Sequence, residues 1–266
     1  MIITSVFPNA SAKSRRDATH SFKAASNYEQ MSFALLDQQA AYKDWQERDT
    51  SCLLWLSGQT ATDARTRLGS TISWLSLATV HVSELIEDEK HTSNILLYYN
   101  CHPGLREEKK ATTDVLKSLL FQIISRRPRI LAHRLNHITS SLERLVPTEQ
   151  QNTQLWPMNI RQDKSHITQK ENIKILVGLI HEMLTEVYLS STLASSNDQN
   201  FLDGGNSGIV YIIIDRIDQC FCKSRYLMDE LASLVMDEKL RVKIMATHDI
   251  AYGDKWETEN LDEDVR

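Results

Sequence analysis

The run Ile209-Val210-Tyr211-Ile212-Ile213-Ile214, closed by Asp215, places the tightest constraint on this chain. Successive side chains of an extended segment point to opposite faces of a sheet, so an unbroken apolar run needs both faces dry. A strand with one wet face would alternate apolar and polar residues. A run this continuous belongs to a buried strand of a parallel sheet. Three further segments share the character: Cys52-Leu53-Leu54-Trp55-Leu56, stopping at Gly58; Asn94 to Asn100 (NILLYYN); and the shorter Val242 to Ala246 (VKIMA). Between and around them the apolar spacing turns helical. Helices are expected over Phe33–Glu47, Thr66–Ala78, from Thr112 or Thr113 up to Pro128, beyond Pro128 to about Leu145, over Asn172–Leu189 and over Tyr226–Met236. Strands alternating with helices predict a three-layer α/β fold, a parallel sheet with helices on both faces.

The flanks differ from this middle. Residues 1–32 are small and polar and read as a disordered tail, residues 33–250 as the folded domain, and residues 251–266 as an acidic tail. Pro147–Lys170 is polar and aperiodic and reads as a surface excursion; Ser190–Gly208, rich in Ser, Asn, Asp and Gly, reads as a loop. The net charge of −5 supplies no field that would favour nucleic acid or an anionic membrane. No stretch approaches the eighteen or so apolar residues of a membrane helix, and Met1–Phe7 is too short an apolar run for a signal peptide. Cys52, Cys101 and Cys220 sit in or beside apolar runs, as reduced thiols of a cytoplasmic protein do.

Isolated chemistry-bearing residues have plain structural readings. His133 and His137 are spaced as metal ligands on a helix, yet no Glu or Cys at matching spacing completes a site, so no metal is expected. Cys220-Phe221-Cys222 and Cys101-His102 could meet near the sheet's carboxyl edge. Arg126, Arg127 and Arg129 flank Pro128 at a helix C-terminus, where the helix dipole favours cations. No Gly-x-Ser-x-Gly elbow supports hydrolase chemistry.

Two carboxyl ends of strands stand out: Gly58 after the first and Asp215 after the strongest. A strand, loop and helix, followed far downstream by an apolar strand ending in Asp, is the order of a P-loop NTPase. That loop reads Gly-x-x-x-x-Gly-Lys-Ser/Thr, its glycines letting backbone N–H groups converge on phosphate. Here the segment is Gly58-Gln59-Thr60-Ala61-Thr62-Asp63-Ala64-Arg65-Thr66. Asp63 stands at the second glycine, Ala64 at the lysine and Arg65 at the hydroxyl, with Thr66 one residue later. Losing the lysine's charge-assisted bond costs roughly 1.5–3 kcal/mol. A carboxylate about 6 Å from phosphate adds roughly 3 kcal/mol of repulsion at an effective dielectric near 20. Together they remove several decades of affinity. Only 8 glycines occur in the whole chain, fewer than half the usual share.

From Tyr42 to Asp249 the chain resembles the NACHT-type, nephrocystin-like N-terminal module of fungal STAND proteins. In that family a Trp-containing helix precedes an LLW strand and the loop GKPGSGKST; here these are Trp45 and CLLWLSGQTATDART. An aromatic-rich strand and a Leu-rich helix follow, here LLYYNCHPGLREEKKATTDVLKSLLFQII. The strand that ends in Asp-Ala-Leu-Asp-Glu-Cys corresponds to IIIDRIDQC, Ile212 to Cys220. The sensor strand ending in Thr-Ser-Arg corresponds to IMATHD, with Thr247, His248 and Asp249.

The resemblance implies roles residue by residue. Asp215 matches the acidic residue that holds Mg²⁺ through water, and Asp218 the second acidic position. Thr247 matches the sensor threonine. Gln219 replaces the catalytic Glu and cannot act as a carboxylate base. Asp249 replaces the sensor arginine. Gly58, Arg65, Thr66, Asp215, Asp218 and Thr247 form a vestigial nucleotide and Mg²⁺ site, with no catalytic residue and no bound cofactor expected. The implied role is a signalling or assembly module that engages protein partners, self-association included, without turning over ATP. Two alternatives stay open: an ATP- and Mg²⁺-binding ATPase in which Arg65 replaces the lysine, and a fragment of a larger STAND protein.

Overall fold

The computed structural model describes residues 36–58, 74–88, 94–101, 112–145, 158–196, 208–219 and 224–249. The two expected tails, the loop residues Asp63, Ala64, Arg65 and Thr66, and Cys220 and Cys222 lie outside these. The described residues fall into two compact units, one built on a sheet and one on helices.

The sheet unit begins with α1 (Ala40–Glu47), then β1 (Cys52–Gly58), α2 (Trp74–Asp88) and β2 (Ile95–Asn100); later segments add β3 (Val210–Asp215), a 3₁₀ turn over Ile217–Gln219, and β4 (Val242–Asp249). The four strands are parallel throughout, in the order β1-β4-β3-β2. The expected parallel α/β architecture is therefore the observed one. All six residues of β3 are buried, as a strand dry on both faces requires.

One face of the sheet carries Leu54, Leu56, Leu96, Tyr98, Tyr211, Ile213 and Met245. Tyr42 and Trp45 of α1 and Leu75, Ala78, Val82 and Ile86 of α2 pack onto it. Trp45 fixes α1 in place: its indole Nε1 donates to Ile244 O at 3.1 Å, and its ring meets Tyr42 and Tyr211 at centroid distances of 6.1 and 5.9 Å. Lys243, 2% exposed, sends Nζ to 5.7 Å above both the Trp45 and Tyr211 rings and donates to Gln46 O at 3.0 Å. A buried ammonium thus has a carbonyl and two π faces as its surroundings.

The helical unit contains α3 (Thr112–Arg126), α4 (Pro128–Glu143), α5 (Met158–Ser196) and α6 (Ser224–Met236). Pro128 stands in the first turn of α4, where its missing N–H breaks no helix bond. Helix α5 packs against α3, α4 and α6. His137 Nε2 lies 2.7 Å from Glu182 Oε2, and Arg134 lies 3.1 Å from Glu186, both between α4 and α5. His181 Nε2 lies 2.6 Å from Asp237 Oδ2, and the other Asp237 oxygen accepts from Lys239 N at 2.9 Å. The Lys239 amide and then His181 hold the Asp237 carboxyl below the usual carboxylate range.

The helix expected at Thr66–Ala78 is present from Trp74 and runs on to Asp88; residues 66–73 lie outside the described ones. Its continuation past Ala78 is rich in Thr, Val and Ser, but Thr79 and Ser83 turn their hydroxyls back onto Ser76 O and Val80 O at 2.9 and 2.6 Å, so they sit buried inside a helix. The surface excursion expected at Pro147–Lys170 is helical from Met158 onward, and the loop expected at Ser190–Gly208 is helical as far as Ser196. The turns added before Asn172 hold good helix formers, Arg161, Gln162, Lys164, Gln169 and Lys170, without an apolar stripe, so propensity was present where periodicity was not. The helix expected over Phe33–Glu47 is broken at Gln39, extended at φ −77°, ψ 114°, which separates a helical turn at residues 36–38 from α1.

Candidate functional site

Parallel strands bring their carboxyl ends to one edge of the sheet, and four of the residues singled out above lie there. Gly58 ends β1 opposite Asp249 of β4, and Asn100 ends β2 opposite Asp215 of β3. Thr247 follows Ala246, which is in register with Ile214, and so stands beside Asp215.

The contact is direct. Thr247 Oγ1 donates to Asp215 Oδ1 at 2.7 Å and accepts from the Arg216 backbone N–H at 2.8 Å. The Asp215 carbonyl accepts from Cys101 N at 2.8 Å, tying β2 to the same corner. Asp215 and Thr247 are both fully buried. Burial pushes the Asp215 carboxyl up to about 6, against the opposing pull of the Thr247 hydroxyl and of Arg216. Asp215 Oδ2 and Ser76 Oγ have no hydrogen-bond partner among the described residues.

Immediately after Asp215 the backbone reverses through Arg216 at φ 57°, in the left-handed region that costs a residue with a Cβ roughly 1–2 kcal/mol. The 3₁₀ turn Ile217–Gln219 follows, closed by Gln219 N to Arg216 O at 2.9 Å. That reversal returns the guanidinium to the strand end. Arg216 Nη2 lies 3.6 Å from Asp218 Oδ2, with side-chain exposures of 6% and 3%. Gln219 Nε2 donates to the same Asp218 oxygen at 2.5 Å. On β1 and β4, Trp55 stacks tilted on His248 at 5.7 Å, and its indole donates to Ser57 Oγ at 2.8 Å.

The structure thus brings Asp215, Asp218 and Thr247 together, with Gly58 two strands away at the same edge. Arg65 and Thr66 lie outside the described residues. Arg216, Ser76, Trp55 and His248 were not singled out from the sequence. The signal for Arg216 was available: an arginine between two aspartates, Asp215 and Asp218, directly after an apolar strand.

A Mg²⁺ ion takes six oxygens in near-ideal octahedral geometry. Asp215 Oδ1 is taken by Thr247 and Asp218 Oδ2 by Arg216 and Gln219, which leaves the buried Asp215 Oδ2 open, and a guanidinium already brings positive charge into the cluster. One open carboxylate oxygen beside a guanidinium does not fit a divalent cation that wants six oxygens. Elsewhere, no group of three or more His, Cys, Asp or Glu among the described residues is arranged to hold a metal. Neither Cys52 nor Cys101 forms a disulfide. No helix among the described residues is long and apolar enough to cross a membrane.

No curated protein matches this chain. The family described as "Nephrocystin 3, N-terminal" matches residues 33–178, more than half of the 266 residues. That span holds α1, β1, α2, β2, α3 and α4, and it ends inside α5. By this match the chain belongs to the nephrocystin 3 N-terminal family.

Proposed function

We propose that the chain is a degenerate STAND- or NACHT-like P-loop module, a cytoplasmic signalling or assembly domain that binds protein partners and does not hydrolyse ATP. The observation that carries this reading is the state of the acidic strand end. Asp215 is fully buried on Thr247, and Asp218 is engaged by Arg216 and Gln219. A carboxylate that holds Mg²⁺ through water must be reachable by water, and Asp215 is fully buried with Oδ1 taken by Thr247. The side chain in the general-base position is Gln219, which has no proton-accepting carboxylate. The substitutions Asp63, Ala64 and Arg65 in the phosphate loop act in the same direction.

Thermal unfolding of the full chain with and without millimolar ATP and Mg²⁺ tests the reading. A ligand that binds only the folded state adds about 2.7 kcal/mol at 100 times its dissociation constant. An unchanged midpoint with a cooperative transition is expected. A clear upward shift removed by Arg65→Ala would overturn the proposal and make the chain a nucleotide-binding protein with a non-standard phosphate loop.

A further inference from the structure

Two carboxylates buried side by side repel each other and lack water to solvate them, so such a pair is stable only with a cation or with retained protons. Asp215 is fully buried and the Asp218 side chain is 3% exposed, three residues apart on one strand end and turn. The positive charge among them is Arg216, whose own side chain is 6% exposed and 3.6 Å from Asp218, and whose charge also bears on Asp215. The backbone adopts φ 57° to keep it there. With an extended backbone at that position the chain would not turn back, and the guanidinium would leave the cluster. A strained backbone held in place by a buried ion pair indicates that the charge is needed where it is.

We propose that Arg216 is the resident cation of this carboxylate cluster: its guanidinium takes the electrostatic place a divalent ion would fill, so the sheet's carboxyl edge is complete without metal. This rests on the reading of that edge as a former nucleotide site, and it names what closed it. Loss of a phosphate lysine alone would leave an acidic pocket in want of a cation. A guanidinium 3.6 Å from Asp218, and near enough for its charge to act on Asp215, removes that want and repels any incoming ion.

Thermal unfolding of the full chain, without nucleotide, in EDTA, in Mg²⁺ and in Mn²⁺, tests this on three proteins: wild type, Arg216→Gln, and Arg216→Gln combined with Asp218→Asn. Wild type keeps one midpoint in all three conditions. Arg216→Gln leaves both carboxylates uncompensated and melts about 10 °C lower in EDTA. Either ion then restores about 5 °C or more at a hundredfold excess over its dissociation constant. The double variant melts within a few degrees of wild type and ignores both ions. An Arg216→Gln protein that folds only when Mn²⁺ is added counts in favour. An Arg216→Gln midpoint equal to wild type in EDTA overturns the proposal. So does an ion response in wild type as large as in the variant, a single variant that no ion rescues, or a double variant that does not fold. ATP raising the wild-type midpoint in EDTA would instead overturn the proposed function and leave the role of Arg216 standing.

Discussion

Replacing Asp215 with Asn isolates the energetic consequence of burying an acid at the end of β3. The carboxyl moves from an ordinary value of 3.8 to about 6 on folding, with burial the main cause. A group whose folded value is raised binds its proton more tightly in the folded state. It therefore contributes stability that is fully present below about 3.8, falls as pH rises, and is gone above about 6. At 1.36 kcal/mol per pH unit the whole contribution is about 3 kcal/mol, of which about 2.5 lies between pH 4 and pH 8. Asn has the same shape, accepts from Thr247 through its oxygen, and carries no charge to desolvate. It also leaves one guanidinium facing one carboxylate, Arg216 facing Asp218. Urea unfolding of both proteins at pH 4 and pH 8 gives the answer directly. The stability of Asp215→Asn relative to wild type is expected to rise by about 2.5 kcal/mol between the two pH values, with the variant the more stable at pH 8. Other titrating groups, including Asp237, whose lowered value acts with the opposite sign, cancel in the difference. A relative stability that does not change with pH would refute the argument that Asp215 is held against its own ionisation.

Two smaller changes probe the scaffold. Trp45→Phe keeps a ring against Tyr42 and Tyr211 but removes the indole N–H that reaches Ile244 O; chemical denaturation should show a loss of about 2 kcal/mol, and no loss would mean this bond does not hold α1 to the sheet. Gly178 lies inside α5 with nothing within 4 Å of a would-be Cβ, so Gly178→Ala should raise stability by about 0.5–1 kcal/mol, and a fall in the urea midpoint would contradict the open space described there.

The strands were legible because unbroken apolar runs such as Ile209–Ile214 have one physical home, a sheet dry on both faces. The end of β4 was less so. The apolar signal stops at Ala246, but Thr247, His248 and Asp249 continue the strand, with Thr247 fully buried on Asp215. A polar residue whose partner lies more than thirty positions away in sequence gives no local sign of burial. Thr79 and Ser83 of α2 were hidden for another reason: their hydroxyls bond locally, to Ser76 O and Val80 O, and are buried without an apolar pattern to mark them. The first half of α5 escaped for the opposite reason, being polar enough to read as a loop while its residues still favour a helix. Of the residues at the sheet's carboxyl edge, Asp215, Asp218 and Thr247 were singled out from the sequence. Arg216 was not: its position between two aspartates is legible, but the left-handed turn that it adopts is not specified by residue types alone.

The strand order also dictates when this fold can come into being. β1 and β2 are first in the chain but stand at opposite margins of the sheet, and β3 and β4, which fill the space between them, follow more than a hundred residues later. Cys52 finds Lys243 as its register partner, and Ile95 finds Val210. During synthesis the emerging chain therefore carries two apolar strands with nothing to pair with until β3 and then β4 arrive. Such distant pairings make folding slow and leave sticky edges open in the meantime. The span matched by the family, residues 33–178, contains both margins and neither central strand, so those residues by themselves are two edges of a sheet with no middle.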